Sequence, residues 1–116
     1  MQAPLDDRFN KILLLMPNPA IFSRRAELAE YALRRGLALL APFRTERALI
    51  SYQVDYDEMS NRIASFVDRI LKGARPGDLP VELPTKFKTI IDLRSAKALG
   101  LTIPPSILAQ ATELIE

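Results

Sequence analysis

The 116-residue sequence has no cysteine and no histidine. Without cysteine there is no disulfide framework and no thiolate metal site. Without either residue, most nucleophile–base pairs and nearly all transition-metal sites are excluded. The four glycines are isolated from one another, so no glycine-rich loop of the P-loop or dinucleotide type exists to cradle a phosphate. Acidic clusters are confined to Asp6-Asp7 and the group Asp55, Asp57 and Glu58. The second group has the ligand type of a hard cation site, but Asp55 with Glu58 is also the pattern of a helix capping box, the simpler reading. No carboxylate has an evident partner that would shift its pKa toward acid–base work. The expectation is a protein that does no chemistry and carries no cofactor and no metal.

Long apolar runs are also missing. The run ILLLM at 12–16 is too short for a signal-peptide core or a membrane span. The preceding segment carries Asp6 and Asp7 where an export signal has basic residues. The chain as written is therefore expected to lack an export signal and to stay cytoplasmic, with no membrane insertion. Charge of one sign is scarce: 16 basic residues face 14 acidic ones, for a net +2. The basic pairs Arg24-Arg25 and Arg34-Arg35 lie among acids rather than on one cationic face, so nucleic acid is not an expected partner.

What remains is ordinary globular material. Apolar residues make up 48% and charged residues 26%, which suits one α/β domain over 1–116 with a modest core. Residues 1–10 are expected to be flexible. KILLLMPNP reads as a strand buried on both faces, as in a parallel sheet. SRRAELAEYALRRG reads as a helix capped by Ser23 and closed by Gly36. LALLAPF and ALISYQ are two further strands. Only RTER connects them, so either a brief helical turn lies there or the two strands are not parallel neighbours. DYDEMSNRIASFVDRILKG is the clearest helix, with Met59, Ile63, Phe66, Val67, Ile70 and Leu71 forming one apolar stripe. A proline-rich connector follows at 74–86. FKTIIDL is a fourth strand and RSAKALG a short helix closed by Gly100. A last helix is expected from Pro105, with Ile107, Leu108, Ala111, Leu114 and Ile115 inward. Strands alternating with helices give a layered, Rossmann-like α/β lobe with a mostly parallel sheet of about four strands.

The segment VDRILKGARPGDLPVELPTKFKTIIDLRSAKALGLTIPPSILAQATELIE is more specific than composition. It resembles the C-terminal part of a bacterial family of ABC-transporter substrate-binding proteins, the periplasmic binding proteins described as tryptophan/tyrosine-type transport components. The DLPVE.PTKF connector and the LGLTIPPS turn carry the likeness. The upstream strand–helix–strand unit and LISYQVDY extend it over residues 11–116. Three departures stand out. The family's proteins have two lobes and are far longer. Gln53 stands where the family usually has glycine. The connection from Phe43 to Ser51 is shorter than usual and lacks a Gly-Gly pair.

The resemblance implies one lobe of a type I periplasmic binding protein, with a cleft between lobes that close by hinge bending. Ligands of open α/β sheets sit beyond the carboxyl ends of the strands. The matching positions are Asn18, Pro19 and Phe22 after the first strand, Phe43 and Arg44 after the second, and Ser51, Tyr52, Gln53 and Asp55 after the third. Each has a plainer alternative: a turn for Asn18, core for Phe22 and Phe43, a solvated charge for Arg44, a helix cap for Asp55. The resemblance also implies a periplasmic location, an ABC permease as partner and a small-molecule ligand of the aromatic amino acid kind, weakly held by this chain alone. Arg44 and Asp55 are the candidate partners of its carboxylate and amine. The competing readings are a small self-associating or partner-binding module, with a homodimer as its simplest form, and a truncated remnant.

Overall fold

A computed structural model describes residues 11–116, so the flexible segment expected at 1–10 lies outside the described residues. The elements run β1 (Ile12–Leu14), α1 (Pro19–Ser23), α2 (Arg25–Arg34), β2 (Ala38–Ala41), β3 (Ile50–Val54), α3 (Tyr56–Leu71), a single 3-10 turn (Pro76–Asp78), β4 (Phe87–Asp92), α4 (Leu93–Ala98), α5 (Pro105–Leu108) and β5 (Glu113–Ile115). The chain divides into two compact units. One holds the described residues up to Gln53 together with Lys88–Glu116; the other is Val54–Phe87.

The five strands form one sheet in the order β1-β2-β3-β4-β5. β1 pairs parallel with β2, β2 with β3, and β4 with β5. The Asp92 N–H donates to the Leu49 carbonyl at 3.1 Å and the Asp55 N–H to the Lys86 carbonyl at 3.0 Å. Advancing along β3 thus means retreating along β4, and that one ladder is antiparallel. The expected layered α/β lobe with a mostly parallel sheet is the fold observed.

Alternation along β2 builds the layers. Leu39 and Ala41 face one side, where they join Leu15, Ala29, Ala32, Phe43 and Ala48 in a core under α2. Ala38 faces the other side with Leu49 and Ala96, beneath α4. Successive side chains of a strand point to opposite faces, so a four-residue apolar strand feeds both cores. The small residues Ala29 and Ala32 are almost wholly buried, and their size lets α2 lie close on the sheet.

Four expectations need correction. First, β2 and β3 are parallel neighbours despite the short link. Leu40 pairs with Ile50 and Ala41 with Ser51, so the chain returns by only about two strand residues, roughly 7 Å. No helix is needed for so short a return. A turn from Thr45 to Ala48 suffices, with Arg47 in the left-handed region at φ 65°. Second, the terminal helix stops at Leu108 and the chain extends into β5. Leu114 is exposed and Ile115 half-buried, the alternation of an edge strand rather than a helix face. Third, β1 is an edge strand, and Ile12 and Leu14 are exposed rather than covered. Fourth, Ser23 caps no helix: it ends α1, donating to the Ala20 carbonyl at 2.9 Å. α3 has no buried residue, so its apolar stripe stays largely open.

Candidate functional site

Asn18 ends the link after β1 with extended backbone, and its side chain accepts from the Ala20 N–H at 2.8 Å. Pro19 takes the first helical position, where a missing N–H leaves nothing unsatisfied. Both residues therefore serve to start α1. That short helix carries Phe22, whose ring meets Phe43 edge-on at 5.1 Å and 83°. The Arg25 guanidinium lies 4.3 Å from the Phe22 ring centroid and donates to the Phe22 carbonyl at 2.9 Å. Phe43 is buried, while Phe22 keeps 47% of its surface open. The pair is a rigid aromatic step with one exposed ring.

Arg44 follows directly. Its backbone N–H donates to the side-chain carbonyl of Gln53. The Gln53 side chain thus fixes the start of the crossover. The Arg44 guanidinium makes a two-pronged pair with Glu113, Nη1 to Oε2 and Nη2 to Oε1, both at 2.7 Å. Hydrogen bonding to Arg44 holds the Glu113 carboxyl below its ordinary range, with the charges of Arg44 and Lys88 adding to the effect. Ser51 is buried in β3 against Ala41. Tyr52 points to the opposite face from its two neighbours and is exposed. Asp55 belongs to the Val54–Phe87 unit, where its carboxylate accepts from the N–H groups of Asp57 and Glu58 at 3.1 and 3.2 Å and starts α3.

The structure brings Phe22 to Phe43 and Gln53 to Arg44. It adds Glu113, which the sequence placed inside a helix. Arg44 and Glu113 border an open hollow of about 570 Å³, along with Arg47, Arg94 and Glu116. The Arg94 fork is committed to Asp92, with Nε to Oδ1 at 3.1 Å and Nη2 to Oδ2 at 2.9 Å. Asp92 is 1% exposed and also accepts from the N–H groups of Arg94 and Ser95, capping α4. Burial pushes the Asp92 carboxyl up, but its bonds to Arg94 and Ser95 together outweigh that, and the net direction is down. Ser95 in turn donates to the Arg47 carbonyl at 3.0 Å, pinning the crossover loop. Among the described residues no group of three acidic side chains is placed to hold a metal ion, and no helix is long and apolar enough to cross a membrane.

A family model described as ABC transporter substrate binding protein matches residues 41–115. The chain belongs to that family. No curated protein matches it. Among the solved structures that share the fold are the following three. A conserved domain protein from Vibrio cholerae O1 biovar El Tor superposes with a TM-score of 0.81 at 26% identity, over 90% of this chain and 36% of the other. The ABC domain from Streptococcus pneumoniae, in complex with L-Trp, gives 0.79 at 24% identity, over 90% and 37%. The ligand-free, open form of a substrate binding protein with adhesive properties from Clostridium difficile gives 0.66 at 18% identity, over 90% and 36%. The chain thus spans little more than a third of the length of the structures it matches.

Proposed function

We propose that the chain supplies the C-terminal part of the solute-binding component of an ABC importer, and that its ligand is a small molecule of the amino acid class, held without chemistry. Family membership supports the binding role, and the L-Trp complex of the Streptococcus pneumoniae protein supports the ligand class. One observation supports a place for the ligand: the Arg44 guanidinium stands half exposed after β2, on a residue whose backbone N–H donates to the Gln53 side chain and which follows directly on Phe43 of the aromatic pair. An arginine fork matches a carboxylate in a two-pronged way that lysine cannot. With this role come an ABC permease as partner and a periplasmic place of work. A site walled on one side leaves its ligand wet, while binding still costs translational and rotational freedom. Isothermal titration of L-tryptophan into this chain should therefore give millimolar affinity, at most about 4 kcal/mol. Arg44→Ala should weaken it about tenfold. An unchanged affinity in that variant would remove Arg44 from the site.

The exposed stripe of α3 favours a second reading, a self-associating module without a transport role.

A further inference from the structure

The sequence offered Asp55 as the partner of a ligand amine, but its carboxylate is occupied as the cap of α3. Glu113 takes the more telling place. It is the first residue of β5, 69 residues from Arg44, and it fills the arginine fork as a ligand carboxylate would. Both side chains are only half covered, at 56% and 43% exposed. An ion pair so open to water contributes little to stability, and its two partners can part at little cost. The charges of Arg44 and Lys88 act on Glu113; Glu46, Arg47 and Glu116 line the same hollow, as does Arg94, which is held by Asp92.

Building on the amino-acid reading above, we propose that Glu113 is an exchangeable counter-ion and the amine-recognising residue of the site. In the empty protein it occupies the Arg44 fork. A ligand carboxylate displaces it there, and the released Glu113 carboxylate receives the ligand ammonium. The class selected is then a zwitterion: a carboxylate without an amine must displace Glu113 and leaves it unpaired, and an amine without a carboxylate has nothing to offer Arg44.

The test uses this chain, its Glu113→Gln variant and three probes: L-tryptophan, indole-3-propionate, which lacks the amine, and tryptamine, which lacks the carboxylate. Affinities are read by NMR at low salt, together with the Arg44 Nε–H resonance. In the parent chain, L-tryptophan should bind best and move the Arg44 resonance, and tryptamine should leave it in place. In Glu113→Gln, indole-3-propionate should gain about two- to fivefold, the scale of an exposed ion pair, while L-tryptophan gains nothing. Equal gains for both would make Glu113 only a competitor and overturn its role toward the amine. No change for either, with L-tryptophan still bound, would reduce the pair to a structural tie and overturn the proposal while the amino-acid reading stands. Failure of every probe to bind the parent chain would overturn both. Glu113→Asp keeps the charge but shortens the reach. It should retain the preference for L-tryptophan, and loss of that preference in a folded Glu113→Asp protein would count against the proposal.

Discussion

At the scale of single residues, the most consequential side chain away from the candidate ligand contacts is Asp92. It is buried at the end of β4, it caps α4, and it holds Arg94. Its carboxyl titrates below the ordinary value. A depressed folded-state pKa means that the carboxylate adds stability at neutral pH. That stability persists above the unfolded value near 3.8 and drains away as pH falls through the lower folded value. Urea unfolding should therefore show the parent chain weakening from pH 5 toward pH 2. Asp92→Asn should weaken less over that range, because the group that titrates is gone. Asp92→Ala should cost about 1–3 kcal/mol at pH 7, combining a lost cap with unsatisfied buried donors. Identical pH profiles for the parent chain and Asp92→Asn would refute the linkage.

At the scale of elements, some features are legible because their causes are local. Gly100 closes α4 in the left-handed region at φ 66°, as its place after AKAL suggests. Asp55 caps α3 because a short acceptor side chain meets orphan N–H groups there whatever the rest of the fold does. Other features have distant causes. ATELIE has a helix-like spacing of apolar residues, yet it becomes β5 because β4 offers it an edge: Ile90 aligns with Glu113, and the Thr112 N–H donates to the Thr89 carbonyl at 2.7 Å. Pairing across some twenty residues overrides local pattern, and with it went the placing of Glu113 beside Arg44. The parallel β2–β3 crossover was hidden for a like reason, since its length follows from a register that no single strand reveals. Likewise the connector after α3 reads as extended from its prolines, but what holds it is Arg62. That side chain donates to Glu58 at 2.6 Å and to Thr85 at 2.7 Å, with longer bonds to Glu82 and the Leu83 carbonyl. Arg62→Ala should free the connector, so that limited proteolysis within 79–86 speeds up several-fold while the far-UV circular dichroism of the chain holds. An unchanged cleavage rate would mean that the prolines alone hold it.

At the scale of the whole molecule, the open question is what covers α3. Ile63, Val67, Ile70 and Leu71 are all exposed along one run of helix, and no residue of α3 is buried within the chain. A stripe of this kind, four large side chains over little more than two turns, is rarely left in water. The net charge of +2 gives little repulsion between copies. We therefore expect the chain to self-associate, with a twofold dimer as the simplest closed form. In a parallel pair or an antiparallel one, such stripes can cover each other. β1 is a rival route, because its exposed Ile12 and Leu14 lie on an edge strand that could pair with a second edge. Light scattering after size-exclusion chromatography decides the first point: the mass should exceed the 13.0 kDa of one chain and approach twice that value as concentration rises. Two variants decide the second. Ile63→Glu with Val67→Glu should return the protein to a monomer if α3 is the interface, and a Lys at Ile12 should do so if the β1 edge is. A monomer mass for the parent chain at every concentration would sink the expectation of self-association and leave the α3 stripe bare in solution.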